Sequence, residues 1–292
     1  MPETEKIVIS ASRRTDIPAF YMEWFMDRIE KGYFEVTNPF NRKVSIVDAR
    51  QEKVHTLVFW SKNFGPFLCG EFGDMLKRAG YNLFFNFTVN SDPALLEPNV
   101  PPLAERLDQM ESLCRLFGSH SVTWRFDPIC FYRSAGRGIQ DNLNDFSHIA
   151  DRAFTCGIRR CITSFMDNYA KIHKRIAAIS GFSFLDPLVA QKKEIILSME
   201  KDLGPRQIRL ETCCEKELLA SLPEYSSVAR SSCIPNDMLV KMYGGRLSLK
   251  RDAGQRVKSG CGCKVSADIG SYQLHPCYHN CLFCYANPAE RK

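Results

Sequence analysis

The sequence contains no apolar run approaching the roughly 18 residues that a membrane-spanning helix needs. Its first residues, MPETEK, are polar and charged, unlike the apolar stretch of a secretory signal. It also has no lysine- or arginine-rich block, internal repeat or low-complexity linker. We therefore expect a cytoplasmic protein with no membrane partner.

The composition is that of a globular protein with a full core, since 45% of the residues are hydrophobic and 25% are charged. The net charge of +6 suits an anionic substrate, nucleic acid or an acidic electron donor, although such a charge is also common on surfaces without these partners. Because no basic block concentrates the charge, nucleic acid is a possible partner that the sequence does not favour.

Short apolar runs alternate with helical patterns along most of the chain. The runs predict six strands, at 6–11, 55–60, 81–89, 121–126, 160–165 and 207–212. The helical patterns lie at 19–31, 66–79, 103–117, 139–155, 169–179 and 188–202. This alternation predicts βαβ units and a parallel sheet. We expect an α/β fold, a partial (β/α)6 TIM-like barrel over residues 1–243, with its active site at the carboxyl ends of the strands.

Thirteen cysteines need an explanation in a chain expected to remain reduced, where clustered cysteines indicate metal or redox chemistry. Eight of them follow residue 210. Among these, Cys277, Cys281 and Cys284 form a C-x3-C-x2-C motif, and thiolates are ligands of iron–sulfur clusters and zinc. Three ligands leave one iron of a four-iron cluster open to a small molecule. The scattered cysteines are expected to be core residues: Cys69, Cys114, Cys130, Cys156 and Cys161.

The remaining cysteines allow two further arrangements. Cys261 and Cys263 could join Cys281 and Cys284 in a four-thiolate zinc ribbon, which would leave Cys277 unused. Alternatively, they could close an auxiliary site for a second iron–sulfur cluster or for zinc, together with Cys233 and one residue of the pair Cys213 and Cys214.

With Phe283 just before its last cysteine, the C-x3-C-x2-C motif resembles the signature of the radical S-adenosylmethionine enzymes, which are (β/α)6 partial barrels. The chain is also similar to an uncharacterised-domain family that opens with SRRTDIP, here 12–18, and ends in CGC-x2-S-x-DIG-x-Y and C-x3-C-x2-CYAN, here 261–287. The latter resemblance favours Cys213 over Cys214 as a ligand.

The resemblance implies a [4Fe-4S] cluster on Cys277, Cys281 and Cys284 whose open iron binds S-adenosylmethionine. An electron from the cluster would cleave the S–C5′ bond, and the 5′-deoxyadenosyl radical would take hydrogen from an unknown substrate. The cofactors would carry this step while the protein orients them. A low-potential electron donor such as ferredoxin or flavodoxin is implied as a partner.

The motif usually follows the first strand in that superfamily, whereas here it lies near the C-terminus. The cysteine-rich extension, residues 244–292, is therefore expected to fold back over the barrel mouth. In place of a glycine-rich segment after the second strand, the chain has Lys62 and Asn63.

Polar residues at the predicted carboxyl ends of strands, together with Phe283, are expected to bind the cofactor: Arg13, Lys62, Asn63, Thr88, Arg125, Asp127 and Ser164. Arg125 or Lys62 is expected to bind the methionine carboxylate through charge-assisted hydrogen bonds. The alternative is that Arg125 and Asp127 form a structural ion pair. Two other functions remain open: an iron–sulfur electron-transfer or sensor protein, and a zinc-organised module that binds nucleic acid.

Overall fold

Runs of β-branched and aromatic residues form the strands of one parallel sheet in the computed structural model, which describes residues 5–38, 41–92 and 94–286. Its eight strands lie in the order β7-β6-β5-β4-β3-β2-β1-β8. Their bounds are β1 Ile7–Ala11, β2 Val54–Ser61, β3 Asn82–Thr88, β4 Val122–Ile129, β5 Arg160–Phe165, β6 Arg209–Thr212, β7 Ala229–Arg230 and β8 Ala267–Asp268. Each neighbouring pair is parallel.

The helices of the described residues follow the strands in the expected alternation. They are α1 Ile17–Phe20, α2 Met22–Lys31, α3 Gly65–Cys69, α4 Phe72–Arg78, α5 Leu103–Phe117, α6 Phe146–Thr155, α7 Ala170–Ile176, α8 Val189–Leu203, α9 Lys216–Ser221 and α10 Asn236–Tyr243. Short 3₁₀ turns lie at Ser119–Ser121, Gly204–Arg206 and Val257–Ser259. A hairpin joins Tyr33–Thr37 to Val44–Asp48, and a small antiparallel sheet contains Phe131–Arg133, Ile139–Asp141 and Ser183–Leu185.

The six strands predicted from the sequence are all present and correspond to β1 to β6 of the eight. The predicted α/β class with a parallel sheet is confirmed. One helix was placed too early, because residues 139–141 form a strand and α6 begins only at Phe146. Asp141 Oδ1 accepts a hydrogen bond from the Leu143 amide at 2.9 Å, which turns the chain between the two elements. Asn142 holds this turn in place, because its Oδ1 accepts a hydrogen bond from the Cys130 amide at 2.8 Å.

The two faces of the sheet pack against different layers. One face buries large side chains such as Phe59, Phe85 and Trp124 beneath the helices, where they form the main hydrophobic core. The other face carries Val8, Val58, Phe84 and Ile162, which pack against Ile234 and Leu239 at α10. Side chains two residues further along a strand share its face, so on this second face polar residues such as Ser10 and Asn86 follow toward the carboxyl ends.

The sheet is open, since β7 and β8 are its two edges and are not paired with one another in the described part of the chain. The segment after β7 is instead hydrogen-bonded to the cysteine-rich extension after residue 243, which we call the tail. The Gly262 amide donates to Ser231 O at 3.2 Å, and the Lys264 amide donates to Ile234 O at 3.1 Å. The tail also supplies β8, so it is part of the sheet. The division of the chain after residue 243 stays a prediction. No helix among the described residues is long and apolar enough to cross a membrane.

Candidate functional site

The tail is fixed to the loop after β1 by Asp268. The Asp268 carboxylate accepts hydrogen bonds from Ser10 Oγ at 3.0 Å, Ser12 Oγ at 2.8 Å and the Arg13 amide at 2.8 Å. Gly270 makes this approach possible, because a Cβ added there would lie 2.0 Å from Ser12 Oγ. The SRRTDIP and DIG segments, which lie near opposite ends of the sequence, therefore contact one another in the fold.

A second carboxylate, Asp16, joins the same loop to the cysteine motif. It is buried and accepts hydrogen bonds from the Ala19 amide at 3.0 Å, Ser61 Oγ at 2.7 Å and the Lys62 amide at 2.9 Å. It also pairs with His279 Nε2 at 2.8 Å. Sequence reasoning missed this pair, although one partner lies inside SRRTDIP and the other inside C-x3-C-x2-C. Asp16 thus holds the motif near the carboxyl ends of β1 and β2.

Cys277, Cys281 and Cys284, the first thiol group, lie at these strand ends. Cys281 and Cys284 pack with Phe283 in an apolar cluster. Electrostatic interactions couple the thiols to one another, and the positive charge of Lys62 tends to lower the pKa of Cys277 and Cys281. Burial raises the pKa of Cys277 to about 12 and raises that of Cys281 well above its usual value. Without a metal, these two thiols are therefore neutral at pH 7.

Five cysteines form the second thiol group: Cys213 and Cys214 follow β6, Cys233 follows β7, and Cys261 and Cys263 lie in the tail. The sulfur atoms of Cys213 and Cys214 are 3.6 Å apart. The thiols also interact in the pairs Cys213 with Cys233, Cys214 with Cys261 and Cys261 with Cys263, and each interaction shifts a pKa within the group. The interactions with Cys213 and Cys261 lower the pKa of Cys214 to about 4. Since both Cys213 and Cys214 belong to the group, the choice between them as ligands stays open.

Neither thiol group is preformed as a metal site. Within residues 5–38, 41–92 and 94–286, no three cysteine, histidine, aspartate or glutamate side chains are arranged to hold one metal ion. Their donor chemistry nevertheless fits iron or zinc, because thiols are soft ligands: the five of the second group share one apolar cluster, and Cys281 and Cys284 of the first group share another. Because metal binding is coupled to the ordering of its ligands, the thiols need not stand in their final positions before a metal binds.

A polar network begins beside the first thiol group at Lys62. Its ammonium forms an ion pair with the buried carboxylate of Glu97. Glu97 Oε1 also accepts a hydrogen bond from Asn90 Nδ2 at 3.2 Å. Asn90 then binds the backbone of Asp127, accepting from its amide at 2.8 Å and donating to its carbonyl at 3.2 Å. The network therefore connects the ends of β2, β3 and β4.

The network reaches the second thiol group through Arg125. This guanidinium donates to Asp127 Oδ2 at 2.5 Å and to Cys233 Sγ at 2.7 Å, and it lies 5.2 Å from the ring centroid of Trp60. Burial alone would lower the pKa of Arg125, but Cys233 and Asp127 raise it well above its usual value. Ser164 Oγ donates to Asp127 Oδ1 at 2.5 Å. The ion pair of Arg125 with Asp127, considered from the sequence, is present.

Two other predicted residues lie close to this network. Arg13, like Arg125, lies beside Trp60: its guanidinium is 5.5 Å from the Trp60 ring centroid, and its Nη1 is 3.9 Å from Asp252 Oδ2. Phe283 is buried, and the Lys62 ammonium lies 5.2 Å from its ring centroid. The structure therefore brings Arg13, Lys62 and Phe283 to one end of the sheet.

Asn63 lies apart from these residues. Its Oδ1 accepts hydrogen bonds from the Gly65 amide and from Gln109 Nε2, each at 2.9 Å, so it points toward α3 and α5. Thr88 ends β3 and pairs with Arg125 in the strand ladder, with its side chain half-buried. The prediction that Asn63 binds a cofactor therefore has no geometric support, while Thr88 is placed beside the network.

Several buried polar atoms of this region have no hydrogen-bond partner in the described part of the chain. They are Arg13 Nη2, Asn86 Oδ1, Glu97 Oε2 and Ser231 Oγ. A buried polar atom without a partner costs about 1–3 kcal/mol, so such atoms commonly mark a place where water or a ligand binds. Their concentration around the network identifies it as the candidate site.

Two cavities open beside the thiol groups. The basic cavity, about 470 Å³, adjoins the second group through Gly260 and is lined by the cations Lys216, Arg230, Arg251 and Lys258. The tyrosine cavity, about 640 Å³, adjoins the first group because Tyr285, the residue after Cys284, lines it. Its main lining residues are Arg14, Arg42, Lys171, Tyr169, Tyr272 and Tyr285.

Comparisons with known proteins give a family but no activity. A family model described as a domain of unknown function (DUF1848) matches residues 8–286. A crystal structure of a sugar phosphate isomerase/epimerase from Parabacteroides distasonis ATCC 8503 aligns with a TM-score of 0.33 and 9% identity, over 97% of this chain and 92% of that chain. No curated protein matches the chain.

The Asp16 clamp predicts a local defect. In Asp16→Asn, an amide nitrogen cannot accept the hydrogen bonds that Asp16 Oδ2 receives from the Lys62 amide and His279 Nε2, and leaving buried donors without a partner costs about 1–3 kcal/mol. We expect backbone amides of residues 271–285 to exchange with solvent on the order of 100-fold faster, as measured by hydrogen–deuterium exchange. The control is Asp27→Asn, which removes an exposed pair with Lys31. Unchanged exchange in Asp16→Asn would contradict the clamp.

Proposed function

Since the chain belongs to the DUF1848 family, whose function is unknown, we propose its function from the chemistry of the site. The site best supports a radical S-adenosylmethionine enzyme with a [4Fe-4S] cluster on Cys277, Cys281 and Cys284. The observation that carries this proposal is the contact of Asp16 with His279, because it holds a three-cysteine motif at the carboxyl ends of parallel strands. In this proposal the open sheet is a partial barrel, and the extension 244–292 covers its mouth.

The cluster, when bound, would supply the electron that cleaves the S–C5′ bond of S-adenosylmethionine. Lys62 would offset the negative charge of the deprotonated thiols, since it already acts on Cys277 and Cys281. Arg13 is the better candidate for the methionine carboxylate, because its Nη2 has no partner within the described residues. Arg125 is committed to its own neighbours, so we assign it a positioning role.

Glu97 would bind the methionine ammonium. One carboxylate oxygen pairs with Lys62, while Oε2 is buried and has no partner among the residues described. An ammonium is a donor with no acceptor of its own, so it would complete the hydrogen bonding of this oxygen. Asp127, Ser164 and Thr88 lie around the same network and would complete the pocket.

The second thiol group would hold an auxiliary iron–sulfur cluster or zinc. Its ligands would be Cys233, Cys261 and Cys263 with Cys213 or Cys214, all of which lie in one cluster. The zinc ribbon that pairs Cys261 and Cys263 with Cys281 and Cys284 has less support, because these two pairs lie in separate apolar clusters. An iron–sulfur carrier or sensor without bond-breaking chemistry is the second candidate function, since it uses the same thiols.

Metal content and product release test the proposal together. We expect the anaerobically purified protein to contain iron and sulfide, and to release 5′-deoxyadenosine from S-adenosylmethionine on reduction with dithionite. The C277A/C281A/C284A variant should lose the product and part of the metal, whereas C261A/C263A should lose only the other part of the metal. Cys69→Ala is the control, because Cys69 lies outside both groups and is exposed, whereas the sequence had suggested a core position.

The outcomes separate the alternatives. Iron and sulfide without 5′-deoxyadenosine would favour the carrier or sensor. Zinc in place of iron, or product from the C277A/C281A/C284A variant, would contradict the assignment of the cluster to the first thiol group.

The electron donor would bind at the basic cavity. Four cations line it, and none of them forms an ion pair in the described structure, so the cavity presents uncompensated positive charge. Gly260 lines the same cavity and directly precedes Cys261 of the second thiol group. An acidic flavodoxin or ferredoxin would be drawn to this surface by its complementary charge.

Removing charge from the basic cavity should slow reduction by a protein donor. We expect the R251A/K258A variant to be reduced by flavodoxin about 10-fold more slowly at low salt, with no change when dithionite is the reductant. K77A/R115A removes two cations from another face and is the control. Equal slowing with dithionite would indicate damage to the metal site and would contradict a docking role.

A further inference from the structure

The tyrosine cavity has an unusual charge balance. Arg14, Arg42 and Lys171 line it, and no acidic residue is among its lining residues in the described structure. Within the described ranges, two of these cations bind only neutral oxygens: Arg42 Nη1 donates to Gln273 Oε1 at 2.7 Å, and Lys171 Nζ donates to Tyr285 O at 3.3 Å. Their positive charges are therefore not neutralised by carboxylates.

Arg14 is the third cation. Its Nη1 donates to Gly270 O at 2.9 Å, and its Nε lies 3.8 Å from Asp268 Oδ1. That carboxylate already accepts from Ser12 and from the Arg13 amide. Arg14 is thus held in place by the tail while its charge is only partly offset, which suits it to bind an anionic group.

Tyrosine rings form the other part of the wall. The rings of Tyr169 and Tyr285 lie 5.8 Å apart at 58°, and the Lys171 ammonium is 5.2 Å from the centroid of Tyr272. Such rings offer flat apolar surface on which a planar ligand can stack, with cations available beside them. A cavity of about 640 Å³ is within the usual range for small-molecule sites.

The cavity also touches the proposed reaction centre. Tyr285 directly follows Cys284, and its hydroxyl donates to Arg13 O at 2.9 Å. S-adenosylmethionine itself is a poor match for the cavity, because its sulfonium and ammonium outweigh its carboxylate and three cations would repel it. A ligand with a planar ring and a phosphate group has the opposite charge and fits both parts of the wall.

We propose that the tyrosine cavity binds the substrate, and that the substrate is a phosphorylated compound with a planar ring, of the nucleoside monophosphate class. Its role as substrate rests on the proposed radical S-adenosylmethionine function, whereas binding itself does not. Arg42, Lys171 and Arg14 bind the phosphate, and the tyrosines pack against the ring. The cavity thereby holds the ring side of the ligand beside the first thiol group.

Binding is tested on the full-length protein without reductant. Isothermal titration calorimetry is carried out with AMP, GMP, CMP and UMP, and separately with the matching nucleosides and with inorganic phosphate. We expect at least one nucleotide to bind about 10-fold or more tightly than its nucleoside and than phosphate. The R42A/K171A variant should weaken that binding by at least about 10-fold.

The matched control is K43A/K174A, which removes two exposed cations from the same hairpin and helix without altering the lining of the cavity. No nucleotide binding, phosphate binding as tightly as the nucleotides, equal weakening in both variants, or displacement of the nucleotide by S-adenosylmethionine would each overturn the proposal. Nucleotide binding in a protein that releases no 5′-deoxyadenosine would support the binding site while removing the radical function, so the two failures are distinguishable.

Discussion

Two carboxylates, the buried Asp16 and the partly buried Asp268, hold the tail against the loop after β1, and the rest of the candidate site depends on them. Asp268 receives three hydrogen bonds from Ser10, Ser12 and Arg13, while Asp16 binds His279 inside the cysteine motif. These contacts join residues from the two ends of the chain and place the motif at the carboxyl ends of the strands. The thiol groups, the polar network and both cavities then surround this junction.

The polar network gives the two thiol groups a shared environment. It begins at Lys62 beside Cys281 and ends at Arg125, which donates to Cys233. Each cation therefore lies beside sulfur that would carry negative charge once it bound a metal, and each is also paired with a carboxylate. The carboxylates therefore leave neither of these cations without a charged partner before a metal binds.

The strands and the class of fold could be predicted from the sequence, because apolar runs at regular spacing have few other structures available. Local turn chemistry was less visible: the strand at Ile139–Asp141 depends on Asn142 reaching back to Cys130. Long-range polar pairing was not visible at all. Asn63 resembled its neighbours as a strand-end polar residue, yet Gln109 on α5 directs it away, and the partner of Asp16 lies 263 residues later.

The central claim is that the first thiol group holds a [4Fe-4S] cluster with an iron open to S-adenosylmethionine. Electron paramagnetic resonance of the anaerobic, dithionite-reduced protein tests it directly, with spectra recorded before and after S-adenosylmethionine is added. To isolate this cluster, the spectra are recorded on C261A/C263A, which is expected to lack the second metal. The account predicts a reduced-cluster signal whose g values change when S-adenosylmethionine binds. A signal that is identical with and without S-adenosylmethionine, or no iron–sulfur signal, would contradict it.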